Sequence, residues 1–258
     1  ILYGRTIFHN IRKFLIFQLT MNLCAIGVSV VGSFIGIDTP VTVMQMLWIN
    51  LIMDTLAGLA FAGEAPQASY MREAPKARGE GVLNRSMLWQ ICLTGGYTVA
   101  LCTYYLCSKR IYGLFRYDEK ELYFLCGFFT LFVFAGIANS FNARTPRLRL
   151  FAGLWRNPAF LAVMGMATVV QLFLVRYGGS IFRCIPLDAL EFRTVALLSL
   201  SVIPFDLLRK AIQSIYAKRK PQKPNNIVIE RQKTSAKNTS KPSLPYAARH
   251  RAKAENLP

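Results

Sequence analysis

Two polar side chains interrupt one long apolar stretch of this sequence. Asp54 lies near the middle of the stretch from Leu47 to Gly63, and Asn50 precedes it by four residues. On an α-helix this spacing places both groups on one face, a turn apart. Because an ionisable group at membrane depth is costly, it generally faces the protein interior and marks a path for an ion or a proton. Asn50 and Asp54 are therefore candidate cation ligands. The structural alternatives are that Asp54 bonds to a neighbouring helix and that the Asn50 amide makes an interhelical hydrogen bond.

The composition indicates a helical membrane protein. Of the 258 residues 53% are apolar, and several apolar runs of about 20 residues can each cross a hydrocarbon core of about 30 Å. We predict an all-α membrane protein whose transmembrane domain, residues 14–213, is a bundle of six helices. A cytoplasmic lead-in at 1–13 precedes it, and a disordered basic tail at 214–258 follows it. The predicted spans are residues 14–36, 41–63, 87–107, 122–141, 159–177 and 192–212.

The net charge of +18 indicates orientation rather than a nucleic-acid partner. Lysine and arginine concentrate in the predicted inner segments, as the positive-inside rule requires, and no arginine-aromatic pattern of an RNA-binding module is present. We expect an integral, multi-pass protein of the plasma membrane or an endomembrane with both termini in the cytoplasm. The inner segments are residues 1–13, 64–86, 143–158 and 209–258.

The other residues that could do chemistry are interpreted as structural. The six cysteines fall mainly in apolar runs without a CxxC pair, which is typical of small buried hydrophobes, and the two histidines are too far apart to form a zinc cluster. Asp206 is expected to pair with Arg209 or Lys210. Gln171 and Ser140 are expected to be packing contacts. Asp38 or Thr39 is expected to cap the second span.

Two blocks of the sequence resemble P-type calcium pumps of the plasma-membrane type. GRTIFHNIRKFLIFQLTMN and PVTVMQMLWINLIMDTLAGLA are similar to the fifth and sixth membrane helices of that family, and FNAR, GLWRNPAF and QLFLVRYGG resemble its region from the eighth to the ninth helix. The resemblance covers residues 1–213. It implies that the six spans are the fifth to tenth helices of a ten-helix pump that works by alternating access.

The resemblance also implies a role for particular residues. Asn50 and Asp54 match ligands of the transported calcium, and the remaining ligands come from a fourth helix that this sequence does not contain. Asn22 matches a position of the second site in two-site pumps; it is also interpretable as an interhelical contact. Ala25 stands where those pumps carry an acid, so the resemblance implies one ion per cycle.

Neither a DKTGT phosphorylation motif nor a nucleotide-binding sequence occurs in these 258 residues. The resemblance therefore implies that the chain does not hydrolyse ATP alone, that Mg-ATP binds only to missing domains, and that its partner is the N-terminal half of a P-type ATPase, from the same gene or a separate chain. No catalytic residue is predicted. The alternatives are a non-transporting regulatory or structural subunit and a pump for another cation such as manganese.

A basic amphipathic segment, residues 207–220, begins in the last turns of the final predicted span and continues beyond it. Such a segment can bind calmodulin or an anionic lipid surface. The alternative is that these cations only mark the cytoplasmic end of a span, as the positive-inside rule predicts.

Overall fold

The computed structural model describes residues 1–36, 40–67, 70–71, 81–145, 148, 150 and 154–219, with the backbone alone at 52–54, 156 and 217–219. Helices are the regular secondary structure of these residues. In chain order they are α1 (Leu2–Ile35), α2 (Val43–Asn50), a π-helical segment (Leu51–Leu56), α3 (Ala57–Ala62), α4 (Arg85–Cys107), α5 (Lys109–Tyr112), α6 (Leu122–Arg144), a 3-10 turn (Leu154–Arg156), α7 (Pro158–Tyr177), α8 (Ala189–Leu200) and α9 (Val202–Arg219).

Three of the described helices are long and apolar enough to cross a membrane: α1, α6 and α7. They coincide with the first, fourth and fifth predicted spans, and α1 also includes the predicted lead-in. The all-α membrane class is confirmed. The count of six spans stays a prediction. The second and last predicted spans are each divided into shorter helical segments, and α4, which coincides with the third predicted span, is not one of the three helices that meet both criteria.

The second predicted span begins later than the sequence suggested. Thr42 caps α2: its hydroxyl accepts a hydrogen bond from the Gln45 backbone N–H at 3.3 Å, and the Thr42 N–H donates to Gln45 Oε1 at 2.8 Å. This reciprocal capping box satisfies two backbone donors that the helix leaves free. The expectation that Asp38 or Thr39 is the cap is therefore wrong, although both of those residues lie outside the described part of the chain.

The last predicted span is divided at Ser201, between α8 and α9. Pro204 lies in the first turn of α9, where its missing N–H breaks no intrahelical hydrogen bond, so the chain starts a new helix there. Helix α9 continues to Arg219, into the range that was predicted to be disordered; residues 220–258 lie outside the described part. The contacts divide the chain into one unit at Ile1–Gln213 and a second that starts at Ser214.

Helix α6 forms the centre of the first unit. Most of its residues are buried, including Phe128, Phe129 and Phe132, and it packs against α1, α4, α7 and α8. Helices α1 and α4 approach each other closely through small residues: a Cβ at Gly95 would lie 2.8 Å from Leu23 Cδ2. Such close approach of backbones is how small residues join helices in membranes.

The cysteine prediction is confirmed for four of the six thiols. Cys24, Cys102, Cys126 and Cys184 are buried, whereas Cys92 and Cys107 are exposed, and all six are free. The two exposed thiols lie on α4.

Candidate cation site

The helix that carries the two candidate ligands is not a regular α-helix. Asn50 is the last residue of α2, and the π-helical segment that follows it contains Asp54. The widened turn changes the spacing on which the predicted stacking of the two groups depends. Asn50 is exposed on this chain, and the Asp54 side chain is not among those that the structure describes. Single π-turns within helices occur frequently at functional sites.

Both ends of this interrupted helix are joined to other elements by hydrogen bonds from buried side-chain amides. Near its start, Gln45 is 1% exposed and donates through Nε2 to the Phe182 carbonyl at 2.6 Å. Near its end, Asn157 Nδ2 donates to the Ala60 carbonyl at 3.1 Å, and Asn10 Nδ2 donates to the Glu64 carbonyl at 3.2 Å. The widened turn is therefore held between two anchored segments.

A buried ion cluster lies directly after the interrupted helix. Glu64 Oε2 is 3.1 Å from Lys13 Nζ of α1, and Glu64 Oε1 accepts from Arg144 Nε of α6 at 3.1 Å. The three side chains are 7%, 12% and 4% exposed, respectively. Sequence reasoning missed Glu64, although its position as the first acid after an apolar stretch was a usable signal. The cluster joins three elements at the end of the bundle that the sequence predicts to face the cytoplasm.

A cavity of about 150 Å³ lies between α1 and α2, and neither Asn22 nor Asn50 is among the residues that line it. Asn22 precedes the lining residue Ala25 by about one turn of α1, and Asn50 follows the lining residue Ile49. Both asparagines are exposed on this chain. The lining includes Ala25, Val28, Ser29, Ser33, Met46 and Ile49.

Two hydroxyls face this cavity from α1. Ser29 Oγ donates to the Ala25 carbonyl at 2.9 Å, and Ser33 Oγ donates to the Ser29 carbonyl at 3.0 Å. Each oxygen keeps acceptor lone pairs after that donation. The cavity therefore presents oxygen acceptors along α1 between Asn22 and the end of the helix.

Asp206 is structural, as the sequence indicated, and it is fully buried. Its carboxylate accepts from Arg209 Nε at 2.7 Å and lies 2.7 Å from Lys210 Nζ. Lys210 also donates to the Asn142 carbonyl at 2.8 Å. Two of the cations of the basic amphipathic segment 207–220 are therefore used inside the bundle.

The two expected packing residues differ in their hydrogen bonds. Ser140 donates to the Ile137 carbonyl at 2.6 Å and contacts Met164 Sδ at 3.1 Å, as expected of a packing contact. Gln171 is fully buried on α7, and neither of its amide atoms has a hydrogen-bond partner among the described residues.

A second ion pair lies at the opposite end of the bundle. Glu191 is 1% exposed and accepts hydrogen bonds from the Arg116 backbone N–H at 2.8 Å, from Arg116 Nη2 at 2.9 Å and from the Asp188 N–H at 2.6 Å. Burial acts to raise the pKa of Glu191, but the hydrogen bonds from Arg116 and Asp188 outweigh it and hold the pKa below its usual value. This pair, called the Arg116–Glu191 clamp below, joins the α5–α6 loop to the start of α8.

Among the described side chains, no group of three or more histidine, cysteine, aspartate or glutamate residues could hold a metal ion.

Residues 38–212 match the family described as Cation transporting ATPase, C-terminus. The chain belongs to this family. The match runs from the turn before α2 to the end of the bundle, so it includes Asn50, Asp54 and the Arg116–Glu191 clamp. It confirms the resemblance that the two sequence blocks indicated.

Individual relatives agree with the family match. The chain is 34% identical over 198 residues to plasma membrane calcium-transporting ATPase 2 of Oreochromis mossambicus, covering 73% of this chain and 18% of that protein. It is 31% identical over 227 residues to the plasma membrane-type calcium-transporting ATPase 9 of Arabidopsis thaliana, covering 84% and 21%. It is 33% identical over 194 residues to human plasma membrane calcium-transporting ATPase 1, covering 71% and 16%.

The chain thus spans about a fifth of the length of these relatives. The family match and the apolar helices together identify it as the membrane part of a P-type cation pump.

Proposed function

We propose that this chain is the membrane half of an ATP-driven P-type calcium pump, and that it supplies the helix scaffold and part of a single cation site. The observation that carries the proposal is the interrupted helix: regular α-helical structure ends at Asn50, and the π-helical segment contains Asp54. The animal and plant relatives are named calcium-transporting, which supports calcium as the transported ion.

The proposed ligands are Asn50 and Asp54, with Asn22 as a neighbouring contributor. Carboxylate and amide oxygens are the ligands that calcium prefers, and it takes roughly six to eight of them. Asn22 and Asn50 are both exposed on this chain, and an amide in contact with lipid requires a polar partner. Further pump helices that cover this face would meet that need and would complete the ligand set.

The remaining parts of the cycle belong to an N-terminal half, from the same gene or a separate chain. That half would bind Mg-ATP, form the aspartyl phosphate and supply the fourth-helix ligands. In this arrangement Asn50 and Asp54 bind calcium from the cytoplasmic side and release it on the other side after phosphorylation. The cavity between α1 and α2 is lined by Ile49, the residue before Asn50, and by Ser33 and Pro40 toward the predicted outer end of the bundle, which supports a release route. Both termini are proposed to be cytoplasmic, in the plasma membrane or an endomembrane.

The test is ATP-driven calcium uptake into vesicles that contain this chain together with an N-terminal pump half. We expect uptake from the combination, and its loss in the Asp54→Asn and Asn50→Ala variants, with a smaller loss in Asn22→Ala. Glu119→Gln is the matched control, because Glu119 is an exposed carboxylate outside the helices. Normal uptake by Asp54→Asn would overturn the ligand assignment.

The same vesicles separate the alternatives. A regulatory or structural subunit would leave uptake by a complete pump present but altered, and would show no dependence on Asp54. Calcium and manganese both accept oxygen ligands, so a competition assay is needed to distinguish them. A manganese pump would take up manganese, and added calcium would compete only weakly.

We also propose that residues 207–220 bind calmodulin or an anionic membrane surface. Leu208 and Ile212 are 60% and 46% exposed, which supports an apolar face available to a partner. Sedimentation of the chain with calcium-loaded calmodulin and with phosphatidylserine vesicles tests this, with Leu208→Glu as the variant expected to weaken either interaction.

A further inference from the structure

Two buried thiols meet at the predicted outer end of the first unit, away from the cation site. Cys126 lies in the second turn of α6, and Cys184 lies in the segment between α7 and α8. They are 0% and 3% exposed. The two side chains are neighbours in the fold, although they are far apart in the sequence.

The backbone around the pair holds both sulfurs in the same place. Cys126 Sγ donates to the carbonyl of Ile185, the neighbour of Cys184, at 3.5 Å, and Cys184 Sγ donates to the Phe182 carbonyl at 3.3 Å. The loop segment is therefore folded back onto α6 at this point. A single buried cysteine most often acts as a small apolar side chain. Two neighbouring cysteines from different elements can also form a disulfide where the geometry allows it.

We propose that Cys126 and Cys184 are a redox-responsive pair that closes to an intramolecular disulfide when a small-molecule disulfide reaches it. One of the two thiols loses its proton and attacks a sulfur of the small disulfide, releasing one small thiolate and forming a mixed disulfide. The second protein thiolate then displaces the other small thiolate. The protein pair is oxidised, the small disulfide is reduced to two thiols, and the two protons from the protein thiols pass to them.

The cross-link would act on the interrupted helix through a single carbonyl. Phe182 accepts hydrogen bonds from both the Cys184 thiol and the Gln45 side chain. A disulfide from Cys184 to α6 would remove the thiol proton that this carbonyl accepts and would tether the loop two residues further on, so it would change the support of the start of α2. The oxidation state of the cysteine pair would therefore affect how firmly the start of α2, the helix that ends at Asn50, is held.

The surrounding structure controls how readily the pair reacts. Arg116 Nη2 donates to the Pro186 carbonyl at 2.8 Å, so the Arg116–Glu191 clamp holds the same loop segment over the two thiols. The neighbouring Cys126 thiol and burial both raise the pKa of the Cys184 thiol, which lowers the fraction of Cys184 present as reactive thiolate. We therefore expect slow oxidation in the intact protein and faster oxidation in Arg116→Ala, which releases the loop.

The test uses the full chain in membranes, treated with oxidised glutathione, denatured, and labelled with a maleimide polymer that shifts its mobility on a gel. After the glutathione treatment, two of the six thiols of the unsubstituted chain should no longer react with the maleimide, and both should recover with dithiothreitol. Peptide mapping by mass spectrometry should find Cys126 linked to Cys184. Because this mapping needs no substitution, it holds even if a variant fails to fold.

Serine variants identify the pair. Cys126→Ser and Cys184→Ser should abolish the internal link, whereas Cys92→Ser and Cys107→Ser, which remove the exposed thiols, should retain it. Failure to find the linked peptide, a link between Cys24 and Cys102, or glutathione adducts on Cys92 and Cys107 alone would each overturn the proposal. Thiol counting requires no transport, so its failure is distinguishable from failure of the proposed pump function.

Discussion

The Glu64 carboxylate accepts a hydrogen bond from the Arg144 guanidinium at 3.1 Å, with both side chains almost completely buried. This contact joins the residue just after the interrupted helix to the end of α6. Lys13 of α1 shares the same carboxylate. One anion therefore holds together three elements, and it lies within two residues of the end of α3.

We predict that Glu64→Gln strongly destabilises the bundle. The substitution removes the carboxylate that Lys13 and Arg144 share, and breaking a buried ion pair by removing one partner costs about 3–5 kcal/mol. The thermal midpoint of the detergent-solubilised chain should fall markedly. Glu119→Gln, at an exposed position, should leave the midpoint nearly unchanged. Equal midpoints for the two variants would contradict the structural role of Glu64.

We predict that Gln45→Met loosens the start of the interrupted helix. The variant keeps a side chain of similar length but loses the capping contact with Thr42 and the hydrogen bond to the Phe182 carbonyl. Loss of these contacts is expected to cost about 1–3 kcal/mol. Amide hydrogen exchange in the first turn of α2 should become faster. Gln67→Met is the matched control, because Gln67 is exposed; the same exchange rates in both variants would refute the prediction.

We predict that alanine destabilises the folded bundle at one helical glycine and does not destabilise it at another. A Cβ at Gly127 of α6 would collide with the Tyr105 hydroxyl and lie 2.6 Å from Phe115 Cε1, whereas a Cβ at Gly96 of α4 would meet nothing within 4 Å. Gly127→Ala should therefore cost about 1–3 kcal/mol through overpacking. Gly96→Ala should be neutral or stabilising by up to about 1 kcal/mol, because alanine favours helix. Thermal unfolding of the two variants side by side provides the measurement.

We predict that the Arg116–Glu191 clamp makes stability depend on acid pH. The pKa of Glu191 is below its ordinary value of 4.5 in the folded chain, so its contribution is present above about pH 4.5 and is lost as pH falls through the lower, folded value. The difference in thermal midpoint between the original chain and Glu191→Gln should shrink over that acid range. A difference that stays constant with pH would show that the Glu191 charge contributes nothing.

The sequence determined the class of this protein and the location of its candidate site. Apolar runs separated by basic segments predict a membrane bundle because the bilayer requires helices of that length. The two sequence blocks indicated the family that residues 38–212 then matched. The pairing of Asp206 was also readable, because its partners Arg209 and Lys210 are one turn away on the same helix.

The interruption of the second span could not be read from the residues. The π-helical segment has the sequence LIMDTL, which contains neither glycine nor proline, so local propensity gives no reason to leave the α-helix. The ends of that helix are fixed by Gln45, Asn10 and Asn157 through partners far away in the chain. A helix held at both ends by other elements must accommodate any mismatch between them within its own length.

Residue types and short spacings thus settled the membrane class and the family, and they provided the carboxylate and the amide that are proposed as ligands. Only the tertiary structure decided which distant groups meet, as with Glu64 and Arg144 or Cys126 and Cys184. The physical reason is that packing brings distant partners to a buried charge or thiol, and nothing in the neighbouring sequence identifies those partners.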